Sequence, residues 1–156
     1  MLHINILMVG KTREAFIREG LAFYQKRLQP LVNLTLTSVR EEKESAGLTA
    51  AALKNREGER LRAQVPSRAW VAALTPQGRE YTSEEFAAWL TRRELAARPL
   101  ALLIGGHWGL DDATLAAAQE QLALSRLTLP HELSRLVILE QLYRAMTIKA
   151  GHPYHV

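Results

Sequence analysis

The sequence contains no cysteine. Its absence removes a disulfide frame, a thiolate nucleophile and any cysteine-based zinc site, and makes a cytoplasmic address the default expectation. Also missing is an apolar run near the roughly 20 residues of a membrane span. The opening MLHINILMVGKTRE has a short apolar stretch, no basic region before it and no small-residue cleavage site, so no signal peptide is expected. No Lys/Arg block occurs: residues 1–100 carry 16 Lys/Arg against 11 Asp/Glu, and residues 101–156 carry 4 against 5. The sequence pI of 9.7 permits an acidic partner such as RNA, contacted from dispersed positions, and fits a merely soluble basic protein equally well. G-x-S-x-G, G-x-x-x-x-G-K-[ST] and G-x-G-x-x-G are all absent, which argues against a nucleophile elbow, a Walker loop and a dinucleotide site.

What is present is one domain's worth of core, spanning 1–156. Hydrophobic residues make up 47% and charged residues 23%, ordinary globular usage that excludes disorder and fibrous designs. Strand-length apolar runs at 3–9, 31–39, 69–74, 100–104 and 122–129 alternate with helical spacing at 13–28, 48–64, 82–95 and 111–122. Segment 40–48, REEKESAGL, reads as a charged loop. The helix at 82 opens on a Thr/Ser cap with a capping-box Glu, and the one at 111 opens on two aspartates. This alternation predicts an α/β fold, a mostly parallel sheet with helices on both faces.

A last helix from His131 to about Lys149 has no wide polar face. A helix apolar all round is buried all round: it is either enclosed by its own chain or covered by a partner, and a symmetric homodimer is the commonest solution. Glu140 and Arg144 stand at i,i+4 in the favourable order and are expected to pair within that apolar surround.

Three segments could carry chemistry. Gly105-Gly106-His107-Trp108-Gly109 follows an apolar strand, where glycines allow a sharp bend and close approach to a ligand, or simply a tight turn. Ser125-Arg126-Leu127-Thr128-Leu129-Pro130-His131-Glu132 leads into the last helix, with Pro130 suited to its first position and Glu132 to its first turn. A zinc reading fails there, because His131-Glu132-Leu133-Ser134-Arg135 puts arginine where HExxH needs its second imidazole, so no metal is expected. The end, Gly151-His152-Pro153-Tyr154-His155-Val156, is rich in titratable rings for a chain terminus, which is more often frayed and polar.

Together, LLIGGHWGL (102–110), LSRLTLPHELSRLVILEQLYRA (124–145) and GHPYH (151–155) resemble the small ribosomal RNA methyltransferases of the SPOUT superfamily. Within it they are most similar to the pseudouridine N3-methyltransferases of helix 69 in 23S rRNA. ALTPQGREYTSEEFA (73–87) and the start through MVGKTRE fit more weakly. The resemblance implies a deep C-terminal trefoil knot, a homodimer and action on large-subunit rRNA in the assembled ribosome. It places S-adenosyl-L-methionine against Leu74, Gly106 and Ser125, Arg126, Leu127, Thr128, Leu129 and Pro130. It makes His155 and Tyr154 the base and its positioning group, and Arg144 a holder of a phosphate or a uracil carbonyl. A neutral imidazole can accept the weakly acidic N3 proton near neutral pH, and a sulfonium leaving group needs no metal. His131, in a helix's first turn, is expected to be neutral and cofactor-side or structural. The family's tail continues with an arginine where Val156 stands; Arg126, Arg135 or a partner subunit is then the alternative cation. The competing reading is a non-catalytic ribosome-associated RNA-binding protein of the same fold.

Overall fold

The computed structural model describes residues 1–155, so the departure at Val156 lies outside the described residues. Strands β1 (His3–Val9), β2 (Asn33–Val39), β3 (Trp70–Arg79), β4 (Leu100–Ile104) and β5 (Glu120–Leu122) form one sheet in the order β2-β1-β4-β3-β5. Every pairing is parallel. Alternation sorts the side chains. Ile4, Ile6, Met8, Leu100, Leu102 and Ile104 enter one core with α1 (Ala15–Leu28), α3 (Ser83–Leu95) and α5 (His131–Lys149). Leu7, Val9, Ala101 and Leu103 enter the other with α2 (Ala50–Ala63) and α4 (Asp112–Ala117). Strands buried on both faces read as unbroken apolar runs, which is why 3–9 and 100–104 stood out in the sequence.

Two expected boundaries shift for local reasons. The run 122–129 is not a strand: β5 spans only Glu120–Leu122. Beyond it the Ser125 hydroxyl accepts the Leu127 amide at 2.9 Å, and this local turn competes with ladder pairing. The expected helix 111–122 stops at Ala117, because Gln119 turns to β3, its amide reaching the Val71 carbonyl and its side chain accepting from the Val71 amide. β3 runs on past 74 to Arg79 with an excursion, Leu74 and Arg79 both facing Leu122. Gly78 closes it, since a Cβ there would lie 2.6 Å from the Leu122 backbone. The capping box at Thr82 and Glu85 forms as expected.

α5 packs between α1 and α3. Pro130 is its N-cap, one position earlier than expected. Glu132 serves another helix: its carboxylate accepts the amides of Arg13 and Glu14, both at 3.0 Å, where the start of α1 has donors without helical partners. Arg135, 1% exposed, donates to the Val9 and Gly10 carbonyls and to Thr12 Oγ1. α5 is thus fastened at its start to the end of β1. Among the described residues, no helix is long and apolar enough to cross a membrane.

Candidate active site

Neighbouring parallel strands deliver their following loops to one end of the sheet, where α/β folds bind ligands. Here the loops after β4 and β5 and the β3 excursion enclose a cleft of about 910 Å³. Leu74, Gly106, Ser125, Leu127, Thr128, Leu129 and Pro130 all line it, and so do His131 and Ser134 from the first turn of α5. Arg126 does not line it and is exposed. Thr75, Pro76 and Gln77, from the more weakly matching string 73–87, also line it, and so does Lys54, to which no motif pointed because the approach of α2 is a tertiary event.

The glycine loop is shaped from behind. Gly105 tolerates no side chain, as a Cβ would lie 2.5 Å from the Gly109 carbonyl carbon. Gly109 has φ +86, a left-handed value that favours glycine. Gly106 has no such φ; its missing Cβ would sit 3.0 Å from Glu57 Oε1 and 3.2 Å from Val9 Cγ1, pointing into the buried α2 side. Glu57 is 4% exposed, and burial pushes its carboxyl above the usual carboxylate range. Its Oε2 accepts the Glu42 amide at 3.0 Å, while Oε1 is buried with no protein partner. The charged loop 40–48 is tied down by Glu41 to Arg13, Glu42 to Arg60 and Glu44 to Trp108.

The cleft combines apolar walls with the charged side chains of Lys54 and Asp112. Its walls are apolar at Leu74, Ile104, Leu124 and Leu129, and glycine peptide groups stand open to it. His131 is kept largely neutral: burial, and then the Arg135 charge, lower its pKa below the ordinary histidine value. Among the described residues no three His, Asp or Glu side chains gather as a metal site would require.

The tail assembles a second cluster. Arg144 binds Glu140 Oε1 through Nε at 3.0 Å and Nη2 at 2.5 Å. The pair expected from the i,i+4 spacing thus forms, partly buried, with the Arg144 guanidinium 4.8 Å from the centre of the Tyr154 ring. The remaining Arg144 nitrogen, Nη1, lies 3.3 Å from His155 Nδ1, and His155 Nε2 lies 2.8 Å from Glu84 Oε1. Tyr154 donates to Glu140 at 3.1 Å, meets the Tyr24 hydroxyl at 3.5 Å and stacks edge-on against Tyr143. Burial, reinforced by Tyr24 and Glu140, raises the Tyr154 pKa well above the ordinary tyrosine value, so the phenol stays protonated. Sequence reasoning found Arg144, Tyr154 and His155 but missed Glu84 and Tyr24, which read as a helix start and a helix face.

These two clusters do not meet within one chain. None of Arg144, Tyr154 and His155 lines the cleft. At 1.5 Å per residue, His131 and Arg144 stand roughly 20 Å apart along α5.

A family model described as "Predicted SPOUT methyltransferase" matches residues 2–155. The chain is 40% identical to the ribosomal RNA large subunit methyltransferase H of Listeria monocytogenes, over 99% of both chains. It is 39% identical to the protein of that name from Carboxydothermus hydrogenoformans and 38% identical to the one from Bacillus pumilus, again over 99% of each chain.

Proposed function

The chain belongs to the SPOUT methyltransferase family, and from that membership we propose that it methylates N3 of a pseudouridine in helix 69 of large-subunit ribosomal RNA. The observation that carries this reading is the convergence of Leu74, the glycine loop, Ser125 and residues 127–130 on one cleft. The relatives' names supply the rRNA. S-adenosyl-L-methionine, when bound, supplies a methyl group on a sulfonium, chemistry that asks the protein mainly for placement.

The chain's own residues then divide the work. Leu74, Gly106 and the backbone from Ser125 to Pro130 hold the cofactor, the amides and close glycine approach replacing an anion cradle. His155 takes the N3 proton, leaving the electron pair on the nitrogen. Tyr154, a neutral phenol fixed by Glu140 and Tyr24, holds the tail in place. Arg144 faces a uracil carbonyl or a phosphate.

Because cleft and tail are separated within one chain, the reading requires a homodimer in which the tail of one copy serves the cleft of the other. Support comes from α1 and α5. Phe16 and Phe23 are 62% and 48% exposed on α1, and Leu133, Leu136 and Val137 on the adjoining α5 are only partly covered. A deep C-terminal trefoil knot belongs to the same proposal, supported by the return of the chain from edge strand β5 to α5 over the middle of the sheet. So do a single methyltransferase domain, a cytoplasmic address and the ribosome as substrate.

Calorimetry with S-adenosyl-L-methionine, then mass analysis of rRNA fragments from ribosomes lacking the modification, tests the activity. One added methyl on the helix 69 pseudouridine is expected. Cofactor binding without any methyl gain would leave an RNA-binding protein of this fold. The dimer is tested separately. Leu142, fully buried, belongs to the core, so Leu142→Asp is expected to cost about 4 kcal/mol or more and unfold the chain. Phe16→Asp is expected to leave a folded monomer in sedimentation that binds cofactor and transfers nothing. A fully active Phe16→Asp monomer would end the two-copy site.

A further inference from the structure

The imidazole of His155 is held from both sides by groups of opposite charge. On one side stands Glu84 Oε1, 2.8 Å from Nε2; on the other, Arg144 Nη1, 3.3 Å from Nδ1. A guanidinium can only donate, so the nitrogen facing Arg144 must be the unprotonated one. A carboxylate can only accept, so the nitrogen facing Glu84 must carry the hydrogen. Both contacts select the same tautomer. Arg144 is held to Glu140 through Nε and Nη2, which leaves Nη1 as the nitrogen that faces Nδ1.

We infer that Glu84 is a positioning residue for methyl transfer: it holds His155 Nε2–H and so makes Nδ1, beside the Arg144 guanidinium, the nitrogen that accepts the acceptor's proton. This deepens the function proposed above and rests on His155 being the base. The step balances simply. As substrate binds, Nη1–H gives way at Nδ1 to the N3–H of the uracil ring. Nδ1 takes that proton, and the N3 electron pair forms the bond to the methyl carbon while the methyl–sulfur bond breaks and its electron pair stays on sulfur. The imidazolium so formed lies against the Glu84 carboxylate. Arg144, with a second hydrogen on Nη1, stands beside the uracil carbonyl that gains negative charge. The imide edge of the ring offers an N–H donor flanked by carbonyl acceptors; Nδ1 and Nη1 offer an acceptor next to a donor.

Glu84 is suited to this from its place in the fold. It lies in the first turn of α3, where its own backbone amide and then the imidazole hold its carboxyl below the usual carboxylate range. It is therefore ionised at neutral pH. The groups facing the imidazole are Glu84 from α3, Arg144 with Glu140 behind it from α5, and Tyr154 in the tail, backed by Tyr24 from α1.

The test is Glu84→Gln in the full chain, with single-turnover methyl transfer followed across pH on ribosomal substrate. The rate near neutral pH is expected to fall on the order of 10-fold, part of the roughly 10²–10⁴ that a general base contributes. Loss of the facing carboxylate removes the partner of the imidazolium formed during transfer, so the fall is in the transfer rate and not in cofactor binding. S-adenosyl-L-methionine affinity, read by calorimetry, stays at the wild-type value, which a merely unfolded variant would not give. Nitrogen shifts of ¹⁵N-histidine protein, with His155 assigned by its loss in His155→Ala, show the Nε2–H form in the wild type and a mixture in Glu84→Gln. An unchanged profile and tautomer in Glu84→Gln, with His155→Ala inactive, overturns the role of Glu84 alone. A fully active His155→Ala overturns the underlying reading, and this inference with it.

Discussion

A protein lacking residues 152–156 is expected to bind S-adenosyl-L-methionine as the full chain does and to transfer no methyl group. The cleft is complete without the tail, since its lining on α5 ends at Ser134. The tail's contacts run instead to Glu140, Arg144, Tyr24 and Glu84. These are partly exposed bonds at a chain end, so their loss leaves both cores intact. His155→Ala alone is expected to slow transfer by roughly 10²–10⁴-fold, and by less at high pH, where the uracil nitrogen ionises unaided. Methyl transfer at the full rate by the truncated protein would move the base elsewhere. His131 is then next in line, because it lines the cleft and burial keeps it neutral.

The parts of this molecule that were legible in its sequence are those written in short-range pattern. Both-face burial makes β1 and β4 continuous apolar runs, and Thr82 with Glu85 three residues on marks the start of α3. The same patterns misled where tertiary pairing intervened: the helical spacing through Gln119 gave way to bonds with Val71. For the site, glycines and a proline marked the loops, and the resemblance supplied residues 125–130. What no local pattern carries is the neighbour across space. Glu57 sits in a polar, arginine-rich helix and gives no sign that it lies beneath Gly106. Glu84 looks like an ordinary acidic residue at a helix start, yet it faces an imidazole 71 positions away. The Glu140–Arg144 pair, by contrast, follows from its i,i+4 spacing on α5 and forms as expected, partly buried.

Gly106→Val is expected to lower S-adenosyl-L-methionine affinity sharply while the fold survives. The cause is neither a left-handed backbone nor a side chain projecting into the cleft. Gly106 is not among the positive-φ glycines, and its Cβ direction leads away from the cleft, to Glu57 Oε1 at 3.0 Å and Val9 Cγ1 at 3.2 Å. Those neighbours are buried and backed by core, and Glu57 is anchored to the Glu42 amide. A branched side chain must therefore push the loop outward, into the cleft that Gly106 lines. Overpacking of this kind costs about 1–3 kcal/mol. If the cost falls on the bound geometry, the affinity drops roughly tenfold to a hundredfold. The cause can be separated from simple disruption by a double-mutant cycle. Glu57→Ala opens room behind the loop, so the Gly106→Val, Glu57→Ala protein should recover part of the lost affinity. Titration showing wild-type affinity in Gly106→Val would reduce the glycine loop to a turn. Loss without any recovery in the double variant would place the obstacle at Val9 instead of the carboxylate.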